Sequence, residues 1–195
     1  MVHASAASAK TMLRLQLRGS RKRLAAETPD AAGRAVAFIP ADLLKRPAVV
    51  AGYRAIGAEF DAWPVMRAFA EAGARLALPV APDLSSPLIF RAWSAGEPLA
   101  PDAVGIPSPT PDAPTIEPDL ILAPLLAFDR RGSRMGQGGG HYDRTLEVLR
   151  ARRPAFVLGL AYAGQEVAQI PTEPHDQHLD AILTEKGYIE ASKDQ

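Results

Sequence analysis

Arg134, Gly136, Gly138, Gly139, Gly140, Asp143 and Arg144 all fall within the short stretch Arg134–Arg144, and together they suit an anion that carries a metal. Four of the five positions from Gly136 to Gly140 are glycine. Such a cluster lets the backbone approach a ligand closely and present amide N–H groups rather than side chains. Amides placed just ahead of a helix bind phosphate well. The cations Arg134 and Arg144 and the carboxylate of Asp143 frame the loop, as a nucleotide phosphate with its Mg²⁺ would require. An apolar run, Leu120–Leu126, leads into the segment with the length and composition of a buried strand.

Two familiar phosphate loops do not fit these letters. A Walker loop ends in Gly-Lys-Ser/Thr, whereas Gly140 is followed by His141 and Tyr142. A dinucleotide loop is spaced Gly-x-Gly-x-x-Gly, whereas Gly136, Gly138 and Gly140 alternate. A flexible linker would be rich in serine and would not sit between a strand and an amphipathic helix. Elsewhere, Lys10 and Arg14 lie one helical turn apart and share a face, which on an isolated helix is a solvated cationic face. Arg18, Arg21, Lys22 and Arg23 are read as solvated too. His175, Asp176 and His178 have chelate spacing, but no third strong ligand is evident, so neither histidine is read as a metal ligand. Asp129 is read as ordering the loop by accepting backbone bonds. Glu59 and Asp61 suit the start of a helix, where acids favour the positive dipole end.

These residues need elements to hold them. The chain has 195 residues, enough for one α/β domain and too few for two comfortable ones. Lysine plus arginine and aspartate plus glutamate both number 22, so no basic excess points to nucleic acid. Cysteine is absent, which removes disulfides, thiolate catalysis and cysteine–zinc sites. No apolar stretch is long enough to span a bilayer, and the expectation is a soluble cytoplasmic protein. The periodicity predicts a helix over about 8–26, with Met12, Leu13, Leu17 and Leu24 inward, and a second from Asp30 to Leu44. Strands are predicted at Pro47–Tyr53, Arg75–Pro79, Leu88–Trp93, Ala155–Ala161 and Ala181–Thr184, and helices from Asp61 or Pro64 to Ala72 and over Tyr142–Ala151. The proline-rich run at about 98–118 is read as an ordered extended loop within a single domain spanning 1–195. Alternating strands and helices predict a mostly parallel central sheet with helices on both faces.

On these residues the chain resembles the 5-formyltetrahydrofolate cyclo-ligases, also called methenyltetrahydrofolate synthetases. Pro124–Arg144 follows their Pro-x-Leu-Ala-Phe-Asp-x-x-Gly-x-Arg-Leu-Gly-x-Gly-Gly-Gly-Tyr-Tyr-Asp-Arg pattern at nearly every fixed position. It departs at Met135 and at His141, where tyrosine is more usual, and Gln137 stands where arginine or tyrosine is frequent. Lys10-Thr11-Met12-Leu13-Arg14 is similar to their Lys-x-x-Leu-Arg, Tyr53–Asp61 to their folate-contacting stretch, and Ile170–Asp176 to their late Pro-x-x-x-x-Asp element.

The resemblance implies ATP contacts from Lys10, Arg14, Arg134, Met135, Gly136, Gln137, Gly138, Gly139, Gly140, His141 and Tyr142. It implies folate contacts from Arg54, Glu59, Gln137, Gly138, Gly139, Gly140 and His141, and Mg²⁺ held by Asp143 and Asp176. Lys10, Arg134 and Tyr142 are implied as catalytic. The implied reaction converts 5-formyltetrahydrofolate, mono- or polyglutamylated, to 5,10-methenyltetrahydrofolate at the expense of ATP. No membrane or nucleic-acid partner is implied, and monomer and homodimer both fit. Two other classes stay open at this point: a folate- or nucleotide-binding protein without turnover, and a sugar-phosphate or CoA enzyme on a related scaffold.

Overall fold

Short apolar runs bounded by proline, glycine or charge form the strands of one sheet in this computed structural model, which describes residues 6–192 and side chains from residue 11 onward. Its strands are β1 (Val49–Ala51), β2 (Arg75–Val80), β3 (Ile89–Ala92), β6 (Leu120–Pro124), β9 (Phe156–Leu160), β10 (Ala181–Thr184) and β11 (Gly187–Glu190). They lie in the order β11-β10-β9-β6-β1-β2-β3. The five inner strands are parallel, and only the edges β3 and β11 run antiparallel to their neighbours. Two small hairpins hang from this sheet: β4 (Leu99–Pro101) with β5 (Pro107–Pro109), and β7 (Ala127–Phe128) with β8 (Arg134–Met135).

Side chains alternate across each strand, so every inner strand feeds two cores. Val50, Leu78, Leu120, Leu122, Leu158 and Leu183 face one way, against α2 (Ala31–Ala35), α3 (Ala41–Lys45), α4 (Trp63–Glu71) and the second half of α1 (Ala6–Glu27). Val49, Ala51, Ile121, Ala123, Val157 and Ile182 face the other way, against Leu146 and Leu149 of α5 (His141–Arg150). Helices therefore cover both faces, as the sequence pattern predicts.

Three expectations change. The helix expected over Asp30–Leu44 is broken into α2, a 3₁₀ turn at Val36–Phe38, and α3. Pro40 lacks an N–H and forces Ile39 out of helical geometry (φ −68°, ψ 122°). Met12 is 58% exposed rather than inward. Leu13, Leu17 and Leu24 share one helical stripe, and Met12 sits about a quarter turn from it. The strand at Ala181–Thr184 is not the last, because Gly187–Glu190 folds back on it as β11. The proline-rich run is ordered, as expected: it carries the β4–β5 hairpin, whose turn is fixed by Asp102 accepting the amides of Val104 and Ile106. No helix among the described residues is long and apolar enough to cross a membrane.

The order places a switch point beside β6. From β1 the chain moves to β2 on one side, and from β6 to β9 and β10 on the other. The connections leaving β1 and β6 diverge, which opens a crevice at the carboxyl ends of the strands.

Candidate active site

A cavity of about 690 Å³ occupies that crevice. Tyr53 and Arg54 follow β1 into its wall and Pro124 ends β6 there, while the glycine loop and the start of α5 form another side. Arg14 of α1 and the segment carrying Pro171, Glu173, His175 and Asp176 complete it. The structure thus brings Arg14, Arg54, Glu59, Arg134, Met135, Gly136, Gln137, Gly138, Gly139, Gly140, His141, Tyr142, Asp143 and Asp176 to one cavity. The side chain of Lys10 lies outside the described residues.

The glycine loop is held by its carbonyls. Arg14 Nε donates to the Gly136 oxygen at 3.3 Å, Arg18 Nη2 to that of Gln137 at 3.4 Å, and Arg144 Nη2 to that of Gly139 at 2.8 Å. Among the described residues no acceptor meets the amides of Gly136–Gly140. Gly138 takes φ 107°, a conformation that side chains disfavour. Three guanidinium groups tie the carbonyls back, and the loop keeps its N–H groups for a ligand. Arg18 is therefore not merely solvated, since its Nε also donates to Gln137 Oε1 at 2.9 Å. Arg144 braces the loop and reaches the Leu84 oxygen at 3.4 Å. Asp129 orders the approach to the loop as expected, accepting the amides of Arg131, Ser133 and Ile170.

Arg134 and Asp143 form a partly buried pair, with Nη2 and Oδ1 2.8 Å apart. Arg134 Nη1 also donates to the Gln177 oxygen, and the Gln177 amide donates to Asp143 Oδ1 at 3.0 Å. Asp143 is thereby held against the residue that follows Asp176. Ligand atoms of Glu173, His175 and Asp176 lie within 4.8 Å of one another, an acidic group able to hold a cation. The two histidines part company here: His175 joins that group, whereas His178 faces the Arg131 oxygen at 3.4 Å. His141 turns its Nδ1 to the Ser86 oxygen at 3.3 Å and so touches the loop between β2 and β3.

Glu59 brings in a residue that sequence reasoning missed. Arg21 is only 6% exposed, and its Nη1 lies 3.5 Å from Glu59 Oε1 and 3.3 Å from the Leu125 oxygen. The expectation that Arg21 is solvated is wrong. A signal was there: Arg21 is two helical turns from Arg14 and hence on the same face of α1.

Burial, reinforced by the charge of Glu59, pushes the phenols of Tyr53 and Tyr142 above their ordinary range, so both stay protonated donors at neutral pH. Tyr162 and Tyr188 are raised as well, again first by burial, which accounts for all four tyrosines of the chain. A group whose folded pKa is raised supplies stability that is complete below the unfolded value, about 10, and is lost as pH climbs toward the folded value. Tyrosinate absorbance should therefore stay low in the native protein past that unfolded value and rise together with loss of circular dichroism. Two or more phenols titrating near their ordinary pKa in a still-native protein would contradict this.

Comparison with known proteins follows the same lines. A model of the 5-formyltetrahydrofolate cyclo-ligase family matches residues 6–185. The 5-formyltetrahydrofolate cyclo-ligase of Mycolicibacterium smegmatis is 37% identical over 150 residues, 73% of this chain and 76% of that protein. That of Escherichia coli is 34% identical over 140 residues, covering 69% and 76%. The solved 5,10-methenyltetrahydrofolate synthetase of Aquifex aeolicus superposes with a TM-score of 0.72 and 26% identity, over 95% of this chain and 94% of the other.

Proposed function

This chain belongs to the 5-formyltetrahydrofolate cyclo-ligase family and is a ligase of that kind, and we propose that it closes the folate ring by spending ATP on the formyl oxygen. The observation that carries this reading is the glycine loop, with its carbonyls tied to Arg14, Arg18 and Arg144 and its amides left for a ligand, in the same cavity as Glu59. Free amides and two nearby guanidinium groups are a donor set suited to a polyphosphate.

Arg14, Arg134 and the amides of Gly136–Gly140 hold phosphate oxygens, and Lys10 is assigned to the same phosphates by resemblance alone. Asp143 and Asp176 offer hard oxygen ligands that fit Mg²⁺, which needs few protein carboxylates and would offset charge on the phosphates. Glu59 accepts N–H bonds from the aminopyrimidinone edge of the folate, with Arg54 and the loop's far side, Gln137 to His141, along the rest of it. Tyr142, protonated, borders the point where the two substrates meet.

An amide oxygen is a poor leaving group, so the formyl oxygen must be activated. It takes the terminal phosphoryl group, ADP departs, and the folate's bridge amine attacks the formyl carbon. That amine loses its proton, and the carbon–oxygen bond breaks to release inorganic phosphate and leave the methenyl bridge. The protein's share is positioning and charge stabilisation.

The test uses 5-formyltetrahydrofolate labelled with ¹⁸O in the formyl group, incubated with the protein, ATP and Mg²⁺. Methenyl absorbance should rise in step with ADP, and the label should appear in the released phosphate. Label found in water would remove the phosphorylated intermediate. Absence of methenyl product would remove the proposed reaction as a whole.

A further inference from the structure

Arg21 is absent from the cavity wall yet contacts a residue that forms it. Its guanidinium is buried between three elements: α1, which carries it, the segment leaving β6, through the Leu125 oxygen, and the segment leaving β1, through Glu59. The Leu125 oxygen is fixed on its other side by Gln165 Nε2 at 3.0 Å, so the anchor is rigid. The Arg21 and Glu59 side chains are 7% and 10% exposed. Glu59 Oε2 is occupied as well, accepting the Ile56 amide at 3.1 Å.

We propose that Arg21 is a positioning residue: it holds the Glu59 carboxylate in the one orientation that reads a pair of side-by-side N–H donors. This rests on the reading of Glu59 as a folate contact. A carboxylate offers about four acceptor positions, two on each oxygen. The protein fills one on each, Oε1 with Arg21 and Oε2 with Ile56. One position per oxygen is left, and these match an edge that presents two parallel N–H groups, as the amide and amino nitrogens of a pterin do. Arg21 also supplies the countercharge that a nearly buried carboxylate needs in order to stay an acceptor. An edge that offers an acceptor at either position is therefore rejected. Among its two hydrogen-bond partners only Glu59 lines the cavity, so the route from Arg21 to a ligand runs through Glu59.

The experiment is a double-mutant cycle read by equilibrium titration with 5-formyltetrahydrofolate and, separately, with a non-hydrolysable ATP analogue. Arg21→Met, which keeps the apolar bulk, should weaken folate binding about tenfold, leave the nucleotide within about twofold, and leave kcat at saturating folate within about threefold. Arg21→Lys should recover part of the loss. In a Glu59→Gln background, Arg21→Met should cost less than about twofold more. Equal losses in both backgrounds, or equal losses for folate and nucleotide, would make Arg21 a structural brace and overturn the proposal. If Glu59→Gln weakens folate binding while the Arg21 variants do not, only this inference fails. If Glu59→Gln leaves folate binding intact, the folate-edge reading of Glu59 fails and takes this inference with it. Should Arg21→Met not fold, Arg21→Lys and Arg21→Gln carry the same comparison.

Discussion

Arg134→Ala is expected to lower kcat/KM for the formyl folate by about a thousandfold, the upper end for losing one preorganised donor to developing charge. The size follows from the three jobs of one side chain. It is 6% exposed and lines the cavity, where the proposed mechanism gives it a phosphate oxygen. It neutralises Asp143 at 2.8 Å, and it ties down the Gln177 carbonyl next to Asp176. Alanine removes the proposed phosphate donor and at the same time leaves the partly buried Asp143 carboxylate without its countercharge, which also destabilises the fold. Asp143 and Asp176, the two acids proposed to hold Mg²⁺, would then lose their common anchor. Arg134→Lys should recover stability better than activity, since an ammonium restores the charge beside Asp143 but cannot make both bonds of the planar fork. Steady-state kinetics with thermal unfolding decide this. An Arg134→Ala protein with lowered melting temperature and activity within tenfold of the parent would reduce Arg134 to a brace.

Local patterns were readable in the sequence, and long-range polar contacts were not. Leu120–Pro124 and Phe156–Leu160 are apolar runs buried on both faces, which only inner parallel strands require, and both were placed within two residues. The glycine loop was legible because its composition is unusual and its neighbours carry charge. Arg14, Glu59 and Asp176 are singled out by the resemblance; from the residues alone Arg14 reads as a solvated cation, Glu59 as an acid at a helix start and Asp176 as part of an incomplete chelate. Arg21 shares the face of Arg14, which sets it apart from Lys22 and Arg23, but its partners lie 38 and 104 positions away, so the spacing shows the face and not what it meets. Arg144 looked like a phosphate ligand from its place beside the loop, whereas it bonds the Gly139 carbonyl, a choice set by the turn that begins α5. Pro40 breaks the helix that the apolar spacing of Asp30–Leu44 predicts, because a proline excludes helical geometry from the residue before it. The small core under α1 needs only Leu13 and Leu17, so Met12 had no seat there.

Two glycine substitutions separate the loop's binding role from the fold's needs. Gly138→Ala is expected to leave the melting temperature nearly unchanged and to weaken nucleotide binding by roughly 30- to 100-fold, an effect of about 2–3 kcal/mol. At φ 107° an alanine is strained, yet the nearest atoms to its methyl group would be those of Arg14, at an ordinary 3.5 Å. Gly138 is exposed, so the loop can relieve that strain by rotating its peptides. Rotation leaves the fold intact and turns the amides away from where the proposed mechanism puts the phosphates. Gly132→Ala is the opposite case. Gly132 has φ 82° and is buried, and a methyl group there would lie 2.4 Å from the Leu179 oxygen and 2.8 Å from Ala191 Cβ. Both neighbours are held in place, the Leu179 amide by the Gly132 oxygen at 2.8 Å and the Ala191 amide by the Asp180 oxygen at 3.1 Å. That substitution should depress the melting temperature strongly, and any loss of binding should follow from unfolding. Thermal melts paired with titration of a non-hydrolysable ATP analogue distinguish the two. Nucleotide binding by Gly138→Ala at the parent's affinity would mean that the loop amides do not hold phosphate.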